Sequence, residues 1–204
     1  MQELWNRLER AAGDAGIALR FRPGVSESAI RAAEKTMELA FPDDLRASLL
    51  AHDGQEPDVE GLGAFAWLPG HEPLASLDAI VQEWRLERDL FHENYANTPG
   101  EELEAGRLYH FLWHPKRIPI AGNPYWDQDN TYVDCIPGPE GTYGQLAMFG
   151  KGCFGQVHGP GLRQTLEILL AALDSGEWAF KNGDCIRRAK STLGWAKYVE
   201  KKLT

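Results

Sequence analysis

Apolar positions recur every three or four residues through the first fifty, the period of helices buried along one face. Leu4, Trp5, Leu8, Ala12 and Ala15 predict an amphipathic helix at the N-terminus, ended by Gly13 and Gly16. Phe21-Arg22-Pro23-Gly24 is then expected to turn. Ser26 can accept a hydrogen bond from an unpaired first-turn N–H, so it predicts the N-cap of a second helix, buried through Ile30, Ala33 and Met37. Phe41-Pro42-Asp43-Asp44 opens a third: Pro42 loses nothing where its N–H would be unpaired, and the two aspartates suit the positive helix end. Leu45, Leu49 and Leu50 are expected to face inward, with the helix stopping at His52-Asp53-Gly54 and Gly54 as a left-handed cap. Ser76 predicts the cap of a fourth helix, with Leu77, Ile80, Val81, Trp84 and Arg88 on one side, and residues 94–106 read as a polar loop.

The second half changes period. Short apolar runs alternate with Gly and Pro: Leu108 to Trp113, Ile118 to Ala121, Tyr132 to Ile136, Gln145 to Phe149, and Phe154 to Val157. They predict strands of an antiparallel sheet joined by tight turns. Leu162, Leu166, Leu169, Leu170 and Leu173 give a strong helix closing at Ser175-Gly176, and Leu193, Ala196, Val199 and Leu203 suggest one more. Helices, then strands, then helices make an α+β fold, N-terminal helices packed on a mainly antiparallel sheet with closing C-terminal helices. The expected organisation is an α+β domain over 1–180 and a basic helical extension over 181–204.

Charge is unevenly spread along a chain of net −9. Thirteen acidic residues from Asp53 to Glu104 face only Arg85 and Arg88, a net of −11, whereas the stretch from Lys181 to the end carries +5. An acidic middle argues against nucleic acid, whose phosphates need a basic surface, and suits a basic protein partner steered in by the field. The same charge also serves plain solubility. Cys135, Cys153 and Cys185 are odd in number and far apart, a poor disulfide or zinc pattern. With no signal peptide and no apolar run long enough for a bilayer, the expected location is the cytoplasm, away from membranes.

Motifs that could carry chemistry weaken in context. Gly150-Lys151-Gly152-Cys153-Phe154-Gly155 matches G-x-G-x-x-G, but Gln156 to Pro160 reads as strand and turn where a dinucleotide site needs a helix N-terminus. Asp127-Gln128-Asp129-Asn130-Thr131 starts like a calcium loop, but Tyr132 and Gly138 occupy the places of its obligatory Gly and Glu, so a turn is expected. His110 and His114 lie in a strand-like run ending at Pro115, which denies them one helical face. No catalytic residue, metal or cofactor is expected. Among seven tryptophans, Trp67 and Trp126, with Tyr125, sit in polar, turn-rich segments and suggest an exposed recognition surface. Asp53, Gln55, Trp126, Asp127 and Asp129 are the candidate partner contacts, their alternative being turn and cap residues. Trp84, Trp113 and Asp134 are expected to be structural.

Four blocks together resemble a known family. Phe41-Pro42-Asp43-Asp44-Leu45-Arg46, leading to His52-Asp53-Gly54-Gln55, resembles its Leu-Pro-Glu-Asp-Leu and His-Asn-Gly-Gln signature. Ser76-Leu77-Asp78-Ala79 with Glu83-Trp84, Trp113-His114-Pro115 through Ile118-Pro119, and Asp134-Cys135-Ile136-Pro137-Gly138-Pro139 with Gly144-Gln145 resemble its later blocks in order. The family is the SUKH superfamily, which includes fungal cell-wall-assembly regulators and bacterial immunity proteins against secreted toxins. Arg117 stands where an aromatic is usual, the loop from 85 to 106 is long, and the stretch beyond 180 lies outside the family core. The resemblance implies an α+β fold without catalysis that acts by binding proteins. The first expectation is an immunity protein that neutralises a basic cognate toxin; the alternative is a regulatory scaffold of cell-wall assembly or signalling.

Overall fold

The computed structural model describes residues 1–56, 66–91, 104, 106–109, 113–150, 155–181, 185–188 and 194–204. Among them the order is α1 (Gln2–Asp14), β1 (Phe21–Pro23), α2 (Glu27–Met37), α3 (Asp43–Ala51), β2 (His52–Gln55), α4 (Leu77–Phe91), β3 (Arg117–Ala121), β4 (Asn130–Asp134), β5 (Gln145–Phe149), β6 (Gln156–Gly159), α5 (Leu162–Asp174), β7 (Trp178–Lys181), β8 (Cys185–Arg188) and α6 (Trp195–Leu203). The fold is α+β, as the change of period implies.

The helices follow their predicted stripes closely. Trp5, Leu8 and Ala12 of α1 are buried, and so are Ile30, Ala33 and Met37 of α2, whose Ser26 Oγ accepts from Ala29 N at 3.2 Å. In α3 the buried set is Leu45, Ser48 and Leu49, while Leu50 is 46% exposed, against expectation. At 100° per residue Leu50 falls beyond the stripe, and the inward place goes to Ser48, whose Oγ accepts from Trp5 Nε1 at 3.0 Å.

Strands β3-β4-β5-β6 form an antiparallel sheet, with Ile118, Val133 and Leu146 in register across one face. That face, with Ile120, enters the main core beneath α1–α5. Leu108, Ala147 and Val157 make a smaller cluster, with Phe149 packed against it. The expected strand from Leu108 to Trp113 is reduced to an isolated bridge between Leu108 and Pro137; residues 110–112, like the glycine-rich stretch 151–154 and the loop 94–103, lie outside the described residues.

Two further departures share one cause, pairing between segments distant in sequence, and a third comes from a local hairpin. Phe21–Pro23 is a strand rather than a turn because it pairs antiparallel with β2, which α3 enters directly at His52. Gly54 does have positive φ (70°), but inside β2, where a Cβ would lie 2.5 Å from the Ala75 backbone. After Phe180 the chain first completes the β7–β8 hairpin, and only then forms α6. Trp195, Tyr198 and Val199 are the buried residues of α6 and belong to the main core, while Leu203 is 42% exposed.

The two-stranded β1-β2 sheet is stitched to the larger one by residues 73–75. Gln55 N donates to Leu74 O at 2.9 Å, Ala75 N donates to Ile120 O at 2.9 Å, and Leu74 bridges Ala121. This seam, with α4 starting at its end, shapes the ground on which the site lies.

Candidate functional site

A cleft of about 720 Å³ opens between the seam, the first half of α4 and the loop after β3. That size is in the range of sites that enclose a small molecule or a few peptide residues. Pro73, Leu74, Ala75, Ala79, Leu86, Pro124 and Trp126 supply its apolar lining, and Glu56, Glu72 and Glu83 its carboxylates.

Two of the expected contact residues line it directly. Gln55 is buried, and its amide works inside the sheet: Nε2 donates to Leu19 O at 2.7 Å and Oε1 accepts from Leu74 N at 3.0 Å. It thus stands in for a strand partner and fixes the cleft floor. Trp126 is half-buried with its backbone in the left-handed region (φ 51°), an uncommon state for a bulky residue. Its amide donates to Asn123 O at 3.1 Å, its carbonyl accepts from Asn130 Nδ2 at 3.0 Å, and its ring lies so close to Gly122 that a Cβ there would fall 2.4 Å from it. The indole is therefore a fixed wall.

Asp127 and Asp129 stand beside this wall. Asp127 Oδ1 accepts from Asn123 Nδ2 at 2.8 Å, which gives the loop the turn chemistry anticipated for it. Both aspartates act electrostatically on Glu72, whose carboxyl is pushed up by burial first and then by Asp129 and Asp127. Asp53 is turned elsewhere: its Oδ1 accepts from Leu77 N at 2.7 Å and, with Ser76 Oγ accepting from Ala79 N, caps α4. Four of the five expected residues thus gather at the cleft and its margin, and the fifth holds the helix that forms one side.

Sequence reasoning missed Glu72, Glu83 and Leu86. Glu83 and Leu86 lie off the buried stripe of α4, and Leu86 is 53% exposed, a large apolar residue on the outer face of a helix. Burial pushes the Glu83 carboxyl up as well. Glu72 carries no periodic signal; only the seam brings it beside Asp127 and Asp129. Trp67, by contrast, is wholly buried and not a surface contact: it packs against Trp5 and His71 at centroid distances of 5.6 and 5.8 Å. Tyr125 is 84% exposed but does not line the cleft.

Behind α4 lies a buried polar centre. Glu87 accepts from Tyr132 Oη at 2.5 Å and from Trp113 Nε1 at 3.3 Å, and burial pushes its carboxyl up to about 7. Arg117, at the position where the family resemblance calls for an aromatic, is buried between Asp134 and the Phe149 ring, 4.4 Å from its centroid, and donates from Nη2 to Tyr109 O at 3.0 Å. Asp134 also accepts from Gln145 Nε2 and Ile136 N, and Trp84 Nε1 donates to Pro115 O, so Trp84, Trp113 and Asp134 serve the interior. A second buried chain runs from Thr131 through His71 to His158, with contacts of 2.6 and 3.0 Å. In the cleft itself, Ser76 is the hydroxyl among the described lining residues, and it is engaged as a cap.

The model of the SMI1 / KNR4 family (SUKH-1) matches residues 24–166. The chain is 25% identical over 198 residues to the cell wall biosynthesis/cell cycle regulator smi1 of Schizosaccharomyces pombe, covering 90% of this chain and 38% of that protein. It is 27% identical over 154 residues to the cell wall assembly regulator SMI1 of Saccharomyces cerevisiae, covering 62% and 30%, and 22% identical over 182 residues to a glucan synthesis regulatory protein of Neurospora crassa, covering 72% and 33%. The chain spans about a third of the length of these curated relatives. Among the described residues no helix is long and apolar enough to cross a membrane.

Proposed function

We propose, for a chain that belongs to the SMI1/KNR4 family (SUKH-1), that it is a non-catalytic docking module of a regulatory scaffold serving cell-wall assembly or signalling in the cytoplasm, and that the cleft beside α4 is where protein partners dock. The observation that carries this reading is the cleft itself: an apolar floor and a fixed indole, framed by carboxylates, on a rigid seam between two sheets. A preformed surface of that kind binds without large rearrangement, which favours recognition. The names of the relatives favour regulation over the toxin-neutralising role first expected from the acidic middle of the chain.

Affinity capture from the native host with the full chain and with a cleft variant (Glu72→Gln, Glu83→Gln, Trp126→Ala) tests it. The expected result is several partners held by the natural sequence and lost by the variant. Recovery of an unchanged set by the variant refutes the cleft as the docking place. Capture of one secreted toxin in place of several regulators returns the immunity reading, which the negative charge between Asp53 and Glu104 supports.

A further inference from the structure

We propose that the cleft takes an extended segment of another protein that presents a basic side chain on each side of an apolar one; this rests on the docking role just described and adds the chemistry of what docks. The apolar residue finds Leu74, Ala79, Leu86, Pro124 and Trp126 on the floor and walls. The basic residues find Glu83 on α4 and, across the cleft, Glu72 beside Asp127 and Asp129.

Glu72 and Glu83 are half-buried, and neither makes a hydrogen bond or ion pair among the described residues. A carboxylate partly removed from water without a partner is unfavourable, and an arriving ammonium or guanidinium offsets that loss. Both carboxyls are shifted upward, Glu72 by burial and then by Asp129 and Asp127, Glu83 by burial. Among the described residues no cation forms an ion pair with either of them. Glu56 is already paired with Arg20 at 2.9 Å, and Arg22, the cation among the described lining residues, donates from Nε to Asp53 O at 3.0 Å. The chain's own basic helix does not reach the cleft: α6 is buried through Trp195, Tyr198 and Val199, and Lys202 pairs with Glu177 at 2.9 Å. Apart from Arg22, no basic residue among the described ones lines the cleft, and the occupant is taken to be a segment of another protein. Arginine suits it better than lysine, because its planar guanidinium can meet a carboxylate through two N–H donors.

The test uses the full chain and three fluorescein-labelled, end-capped heptapeptides, read by fluorescence anisotropy at low salt: Gly-Ser-Arg-Leu-Arg-Ser-Gly, the same with both arginines replaced by glutamate, and the same with leucine replaced by serine. The Arg-Leu-Arg peptide should bind most tightly. Glu72→Gln with Glu83→Gln should weaken it by about tenfold or more, the scale of a lost, partly desolvated charge pair. Asp14→Asn with Glu167→Gln removes the same charge from exposed positions on α1 and α5 and should change affinity by less than about twofold, since exposed, distant charges are screened. Trp126→Ala should weaken the Arg-Leu-Arg peptide more than the Arg-Ser-Arg one. Equal losses in the two charge variants, equal binding of the glutamate peptide, or no binding of any peptide overturns the proposal. If the peptides fail while host partners are still lost by the cleft variant, docking at the cleft stands and only the cationic segment falls. If captured partners also ignore the cleft variant, both readings fall together.

Discussion

Glu87 holds its proton more tightly in the folded protein than in the unfolded chain, and that difference sets a measurable slope of stability against pH. The residue is 5% exposed, and its carboxyl lies between Tyr132 Oη and Trp113 Nε1. Burial raises it from 4.5 to about 7 and Glu83, one turn earlier, adds to the rise, while the Tyr132 and Trp113 hydrogen bonds and the charge of Arg117 oppose it. Because the folded value lies above the unfolded one, the contribution is complete below pH 4.5 and is lost as pH rises through 7. A rise of this size corresponds to about 3 kcal/mol in full, most of which separates pH 5 from pH 8. At about 2–4 °C per kcal/mol for a domain of this length, the melting temperature should fall by about 5–10 °C over that interval on account of Glu87 alone. Glu87→Gln keeps the shape and cannot titrate. Melts followed by circular dichroism at pH 5 and pH 8 should therefore show a drop for the natural protein larger by that amount than for the variant. The comparison cancels the titrating groups that do not interact with Glu87, the buried histidines included. Parallel pH curves for the two proteins would refute a carboxyl held protonated by burial.

Other substitutions report on the seam, the wall and the acid limb. Gln55→Ala removes both side-chain bonds that tie Leu19 and Leu74 to β2 and leaves Leu74 N without its acceptor, so the urea midpoint should fall by the equivalent of about 2–3 kcal/mol. Gly122→Ala puts a Cβ into the Trp126 ring; in 5-fluorotryptophan-labelled protein the Trp126 ¹⁹F resonance should move while most of the other tryptophan signals keep their positions. His158 is buried and its imidazole is lowered to about 4, chiefly by desolvation. Its folded value lies below the unfolded 6.5, so stability is intact above pH 6.5 and is lost as pH falls through 4, by up to about 3 kcal/mol; in a Glu87→Gln background, His158→Phe should flatten the acid limb of the urea midpoint. Leu49→Ala should cost about 2–5 kcal/mol and Leu50→Ala less than about 0.5, because only the first is buried.

The amino-acid sequence alone determined the helices α1 to α5, because each buries one stripe and a helix displays that stripe at a fixed local period. Ile30, Ala33 and Met37, or Leu162, Leu166 and Leu169, declare their partner face without knowledge of what covers it. It also determined the α+β class and strand β5, and placed Trp126, Asp127 and Asp129 in a polar turn. Only the tertiary structure decided the pairing of Phe21–Pro23 with His52–Gln55, the burial of Trp67 against Trp5, and the meeting of Glu72 with Asp127 and Asp129. Strand partners and cleft walls are contacts between residues far apart in the chain; no local period encodes them, and they exist only once the helices and sheets have packed.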